Sequence, residues 1–242
     1  IEAPALAKAA AVLEADGVRV LAVETDVGDF ESMKALAAAT AAEFGDVHVL
    51  FNNAGVGGGG PMLEPDDLDY WKWVLDVDLY GVLHGIKAFG PAMVAHGAPC
   101  HIVNTASMAG LLPTPLLGSY TVAKYGVVAM SEVLSLETRD STELRVSVLC
   151  PGFVRTELFA SDRNLPEHLV ALEEPTEEQA ALRKLVEGLI TEGLPPEEVA
   201  DAVYEAVYRE RFYVLPHPQY GTQITVRAAD ILAGNPPHPW EI

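Results

Sequence analysis

A phenol and an ammonium share one helical face in "GSYTVAKYGVVAMSEVL", Gly118 to Leu134: Tyr120 and, four positions on, Lys124. Side chains at i and i+4 stack on the same side of a helix. A free phenol titrates near ~10, too high to trade protons easily at neutral pH. A neighbouring cation favours the phenolate and makes the pair a workable general acid and base. A solvated face with a snorkelling lysine has the same spacing. Ser107, thirteen positions before Tyr120, is a hydroxyl that either ends a strand or orients a substrate oxygen.

These residues need a frame. An Ala-rich helix from about Pro4 to Ala15 stops at Asp16-Gly17. "VRVLAVETDV", Val18 to Val27, is rich in β-branched residues and predicts a strand. "DFESMKALAAATAAEFG" predicts a helix with an Asp29 cap and a Gly45 stop. "VHVLFNNAG" is a continuous apolar run that predicts a buried parallel strand. Pro65 to His96 predicts a long helix, with Pro65 in its first turn. "HIVNTAS" and "LRVSVLCPG" predict strands on either side of the Tyr120 helix. Phe153 to Pro196 predicts a mobile loop with short helices, of the kind that covers a site. A helix over Glu197–Arg209, a strand "RFYVLPH" and a helix over Tyr220–Ala233 close the pattern. Strands alternating with helices predict an α/β fold: a doubly wound, mostly parallel sheet with helices on both faces, read as one domain over 1–242. Ligands of such sheets bind beyond the carboxyl ends of the strands. Asp26, Asn52–Gly55, Ser107 and Pro151-Gly152 all fall at those ends.

Taken together, "TDV" (Thr25–Val27), "NNAG" (Asn52–Gly55), Ser107, "YTVAK" and "PGFVRT" (Pro151–Thr156) stand in the order and spacing of a known family. The chain resembles a short-chain dehydrogenase/reductase over nearly its whole length. YxxxK alone is weak; with the upstream Ser, NNAG and PG it is specific. The resemblance implies a Rossmann-like fold and an NAD(P)-dependent oxidoreductase that interconverts a secondary alcohol and a carbonyl by hydride transfer. It implies Ser107, Tyr120 and Lys124 as catalytic, Lys124 also holding the nicotinamide ribose. It places Asp26 and Val27 near the adenine. The backbone of Asn52, Ala54 and Gly55 would lie along the cofactor, with Asn53 more structural. Pro151, Gly152, Val154 and Thr156 would meet the nicotinamide amide. The glycine run "VGGGGPM" lacks GxxxxGK[ST] and predicts a loop beside the site that leaves room for substrate, not a phosphate loop.

Two departures stand out. The family's Gly-rich TGxxxGxG turn is absent; a βαβ unit takes roughly 30 residues, so the natural protein is expected to be longer, with that turn upstream of Ile1. The residue that separates NAD from NADP would go with it, and Ile1-Glu2, often written "DIE", hints at NAD. The sheet would then expose an apolar edge. Second, "VDLYG" puts Asp78 where the family usually has Asn. Asp accepts from water as Asn does, but cannot donate as an amide and adds a charge near Lys124, which is expected to alter pH dependence.

The balance of charge excludes some partners. The 242 residues carry a net charge of −20 and half are hydrophobic. Neither nucleic acid nor an anionic membrane surface fits that charge. No apolar run is long enough to span a membrane. The chain begins "IEAPALAKAAAVLEADG", already helical, without a signal-peptide pattern; a cytoplasmic protein is the expectation, with an upstream targeting segment left open. Cys100 and Cys150 predict reduced core thiols, and seven scattered His predict no metal site. The substrate is expected to be a small alcohol or carbonyl, lipophilic if the Leu111–Leu117 and Phe153–Pro196 stretches line its pocket. By family analogy the helices near Trp71–His96 and Ser119–Arg139 pair across a two-fold axis, giving a homodimer or homotetramer. A non-catalytic binding or assembly protein of the same fold stands as the alternative, with an epimerase or dehydratase behind it.

Overall fold

The computed structural model describes residues 1–63, 68–169 and 177–238. Its centre is a four-stranded, all-parallel sheet in the order β1 (Val49–Asn52), β2 (Cys100–Thr105), β3 (Leu144–Leu149), β4 (Tyr213–Val214). Parallel neighbours need crossovers, and helices supply them: α3 (Leu68–Leu75) and α4 (Gly81–Ala95) between β1 and β2, α5 (Gly118–Thr138) between β2 and β3. Helices α6 (Glu177–Thr191) and α7 (Pro196–Tyr208) lead to β4, and α8 (Gly221–Ala233) follows it. Upstream lie α1 (Ala3–Ala15) and α2 (Phe30–Phe44). The Asp29 side chain caps α2 by accepting from Glu31 N, and Gly45 ends it at φ 79°.

Both faces of the sheet are packed. Ile102, Leu144 and Val148 join Val82, Ile86, Phe89 and Met93 of α4 and Val127 and Val128 of α5 in one core. Val103 and Leu149 point the other way, onto Val199, Val203 and Ala206 of α7. Adjacent strand residues thus serve opposite faces, which is why the strands read as unbroken apolar runs. This is the Rossmann-like α/β architecture expected from the alternation of elements.

The expected strand over Val18–Val27 is not a strand. No strand is assigned over 18–27, and Val27 lies in a turn. A β-branched composition describes a residue set that suits a sheet; it becomes a strand only when a neighbour takes its N–H and C=O groups. β1 is accordingly an edge, with Val49 42% and Phe51 57% exposed. Pro65 lies outside the described residues, as does 170–176 of the expected loop. The long helix before β2 is not uniform: a π-helical turn, Asp76–Tyr80, separates α3 from α4.

Candidate active site

The carboxyl ends of β1, β2 and β3 release the chain into the segments that carry the candidate residues. After β2, Ser107 leaves the strand fully extended and caps a short 3-10 turn, Met108–Gly110, its Oγ accepting from Ala109 N at 3.1 Å. α5 then starts at Gly118 and presents Tyr120 and Lys124 one turn apart. A Cβ at Gly110 would lie 2.6 Å from the Lys124 carbonyl oxygen, so this glycine lets the 3-10 turn seat against α5. The Ser107 hydroxyl lies close enough to the Tyr120 phenol to favour its ionised form. The Lys124 ammonium lies over the Tyr120 ring, 5.3 Å from its centroid.

The π turn explains how Asp78 joins them. An extra residue in the turn widens the helix and turns a side chain inward; such turns recur at functional sites. Asp78 is fully buried. Its Oδ2 pairs with Lys124 Nζ at 3.2 Å, and its Oδ1 accepts from Val56 N at 2.7 Å. Lys124 is 4% exposed, so the ion pair is buried. Neither charge is stable there alone, because an unpaired ion in a low dielectric costs several kcal/mol.

The titration of the phenol differs from the expectation. Burial pushes Tyr120 above the usual phenol range; Lys124 pulls down as expected, Asp78 pushes up, and the Ser107 hydroxyl pulls down. The cation works as the spacing implies, but burial and the extra carboxylate outweigh it. Burial alone would lower Lys124, yet Asp78 and then Tyr120 hold it above its ordinary value. Asp78 itself is raised by burial, against the pull of Lys124 and Val56 N–H.

The remaining positions divide into backbone and side-chain roles. The Asn52 side chain donates to Asn104 Oδ1 at 2.8 Å, and Asn104 donates to Ser131 Oγ at 2.9 Å, tying β1 and β2 to α5. Only the Asn52 backbone remains for a ligand. Asn53 accepts from Thr105 Oγ1 at 2.9 Å, a strand-to-strand tie of the kind expected. Ala54 and Gly55 lead past Asp78 and Lys124; a Cβ at Gly55 would sit 3.3 Å from Asp78 Oδ1 and 3.5 Å from Lys124 Nζ. In the segment before α2, Asp26 is exposed and its Oδ1 accepts from Gly28 N at 2.9 Å. His84 of α4 donates from Nδ1 to the Val27 carbonyl at 2.8 Å, holding that segment against the helix. After β3, the Pro151 carbonyl accepts from Met108 N at 2.8 Å. Val154 bridges Leu194, and Thr156 caps the 3-10 segment Glu157–Asn164.

The glycine run does not leave open room. Gly58 faces Val74, Gly59 faces the Leu116 carbonyl, and Gly57 N–H donates to Ser161 Oγ at 2.7 Å. The glycines let this wall pack closely. Leu112 of the expected pocket lining is in the core instead. Cys100 and Cys150 are free and buried, and burial pushes the Cys150 thiol up to about 12, which leaves it unreactive. Single-residue reading missed His84, Ser161 and His217. His217 accepts from Gly152 N and donates to the Phe153 carbonyl. Its one signal in the sequence is its place just past the carboxyl end of the last strand.

A parallel α/β sheet that gathers Ser107, Tyr120 and Lys124 at its carboxyl rim defines a Rossmann-like fold. Comparison with known proteins makes the assignment specific. The family model described as short chain dehydrogenase matches residues 1–166. A CLA biosynthesis dehydrogenase/reductase of Lactiplantibacillus plantarum is 31% identical over 98% of this chain and 84% of its own length. A 1-deoxy-11-beta-hydroxypentalenate dehydrogenase of Streptomyces avermitilis is 33% identical over 93% of this chain and 76% of its own. A short-chain dehydrogenase/reductase from Burkholderia phymatum, solved in complex with NAD, superposes with a TM-score of 0.95 at 39% identity, covering 100% of this chain and 87% of that one. The chain belongs to the short-chain dehydrogenase/reductase family and is an oxidoreductase. Among the described residues, no helix is long and apolar enough to cross a membrane.

Proposed function

We propose that the protein interconverts a secondary alcohol and a carbonyl with a nicotinamide dinucleotide, Tyr120 being the general acid and base. One observation carries the reading: Tyr120 sits beside Ser107 and beneath the Lys124 ammonium, all at the carboxyl rim of the sheet. In oxidation the carbinol carbon loses a hydride and its hydroxyl loses a proton. The proton passes to the Tyr120 oxygen. Ser107 Oγ accepts from Ala109 N, and its hydroxyl makes only a long 3.5 Å bond to the Pro151 carbonyl, which a substrate oxygen would replace. Lys124 stabilises the phenolate, and Asp78 keeps Lys124 in place. Reduction runs the same proton in reverse.

The residues present fit a dinucleotide. Asp26 and Val27 would meet the adenine; the backbone of Asn52, Ala54 and Gly55 would line the middle; Tyr120 and Lys124 would reach the ribose. Pro151, Gly152, Val154 and Thr156 would meet the nicotinamide amide. Such a dinucleotide supplies the hydride acceptor or donor. NAD is favoured over NADP, because the neighbour with TM-score 0.95 was solved with NAD. A hydroxylated substrate is supported by the relative named for a hydroxypentalenate. The segment 153–196 is proposed to cover the substrate. Exposed Val122, Val133 and Leu136 on α5 support a homodimer or homotetramer through that helix, and a cytoplasmic location is kept as part of the same proposal.

The experiment is a fluorescence titration with NADH and NADPH. It uses this chain beside a version extended upstream by a Gly-rich strand–helix unit, followed by turnover on a panel of secondary alcohols. Saturable binding with NADH preferred, and oxidation of at least one alcohol, is expected. A folded protein that binds neither dinucleotide in either form would sink the proposal.

A further inference from the structure

The loop after β3 is held by its main chain on every side. Pro151 O accepts from Met108 N at 2.8 Å; Phe153 O accepts from Leu194 N at 3.0 Å; Arg155 N donates to Leu194 O at 2.9 Å. In this parallel bridge the N–H and C=O of Val154 point away from Leu194, so the direction of the Val154 peptide groups depends on how its neighbours are fixed. The remaining clamp is His217, beyond β4 and only 6% exposed. Gly152 N–H donates to His217 Nδ1 at 3.0 Å, and His217 Nε2 lies 3.0 Å from the Phe153 carbonyl. A backbone N–H can only donate and a carbonyl can only accept, so Nδ1 must be bare and Nε2 must carry the proton. The ring is neutral in one defined tautomer. Tyr220 stacks on it, centroids 6.0 Å apart. The fit leaves no slack: a Cβ at Gly152 would lie 2.7 Å from Tyr220 Cε2 and 3.2 Å from the His217 ring.

We propose that His217 is a positioning residue for the dinucleotide: its neutral imidazole spans Gly152 and Phe153, aims the Val154 peptide groups into the site, and releases Gly152 when protonated. This rests on the reading that Pro151–Thr156 meets the nicotinamide amide. Protonation would set an Nδ1–H against the Gly152 N–H, two donors face to face, and one would have to move. The groups that face the ring are the Tyr220 phenol ring, the Gly152 N–H and the Phe153 carbonyl. Burial holds His217 below the usual histidine range while the Phe153 bond acts the other way, and no charged side chain among the described residues adds to either.

Asn and Gln separate the two bonds. An Asn amide sits where Nδ1 does and can keep the Gly152 contact; a Gln amide sits where Nε2 does and can keep the Phe153 contact. Two readouts test the idea. Nitrogen-15 NMR of this chain without ligand follows the ring nitrogens and the Gly152 amide through a pH titration. Dinucleotide dissociation constants are then measured at pH 8 and at a pH below the ring's titration, in whichever form of the chain binds better, for native protein, His217→Asn and His217→Ala. The expected result is an Nε2–H tautomer, a Gly152 amide that shifts together with the ring, and native binding that weakens about tenfold on acidification. His217→Asn should bind nearly as native at pH 8 and lose that acid dependence. His217→Ala should bind about tenfold more weakly at both. Native-like binding by His217→Asn with full acid dependence retained, or a Gly152 amide indifferent to the ring, overturns the inference. Binding by no form at any pH, with the amide still following the ring, fails the dinucleotide reading itself and takes the positioning role with it while leaving the clamp.

Discussion

The two ends of the candidate site are built on opposite terms. At the chemical end, Asp78 and Lys124 are buried, paired at 3.2 Å, and packed against Tyr120. At the other, Asp26 is exposed, and its carboxylate merely turns the chain by accepting from Gly28 N. Away from water a charge acts strongly on its neighbours; in water the same charge is screened. The buried end can therefore set a pKa, and it must hold its ions in balance. The exposed end can only offer a hydrogen-bond pattern. Substitutions at the buried end should move stability, pH dependence and rate together, whereas those at the exposed end should move affinity alone.

Tyr120→Phe makes the sharpest break. It removes the proposed proton carrier and keeps the ring under Lys124, so turnover should fall on the order of 10³-fold with dinucleotide affinity changed far less. Steady-state rates and a binding titration on the same preparation check both halves. A variant that kept its rate would end the assignment of Tyr120 as acid and base.

Asp78→Ala tests the cost of burial. It strands the Lys124 ammonium and the Val56 N–H at once. Removing one partner of a buried pair costs about 3 kcal/mol or more, which for a chain of this size lowers Tm by roughly 6–12 °C. Thermal unfolding by circular dichroism reads it. A loss no larger than that of an exposed substitution would mean water reaches the pair and the contrast between the two ends is false.

That Ser107, Tyr120 and Lys124 would come together was legible in the sequence, because they are close in the chain or fixed in spacing. Tyr120 and Lys124 are one turn apart, and Ser107 ends the strand just before. Asp78 was visible as an unusual residue, but the π turn that aims it inward has no signature in residue type. Its effect on Tyr120 depends on burial, which reverses the net direction expected from Lys124 alone. Val18–Val27 failed as a strand for a complementary reason: composition is local and ladder partners are not. His217 was one of seven histidines, and only the fold sets it beside Gly152. Residues whose role lies in a contact across the fold stay hidden in a single sequence.

Asp78→Asn is gentler and isolates charge. The amide oxygen can still accept from Val56 N–H, but Lys124 loses its counter-charge, so stability should fall, by less than in Asp78→Ala. Burial raises Tyr120 most, and the Asp78 carboxylate adds to that rise. Removing the negative charge favours the phenolate and lowers the phenol's pKa. Alcohol oxidation needs the phenolate, so its rate rises with pH through that titration. The limb should therefore move to lower pH in the variant, by less than the shift burial causes. The pH profile of kcat/KM for oxidation measures it; a limb that stays put or moves to higher pH contradicts the electrostatic account.

Asp26→Asn should be the mildest change and tests the exposed end. Its amide oxygen can still accept from Gly28 N–H, so the turn before α2 should survive. The carboxylate's remaining oxygen is the group available to an adenine amine; an amide oriented for the turn presents a donor there instead. One exposed hydrogen bond is worth about 1 kcal/mol, so the dinucleotide Kd should rise roughly fivefold. Turnover at saturation and its pH limb should not move, because the charge lies in solvent. Isothermal titration with pH-resolved kinetics makes the comparison direct. A pH limb that shifted as it does in Asp78→Asn would show that the exposed charge reaches Tyr120, and the division between a tuned end and a recognising end would have to be abandoned.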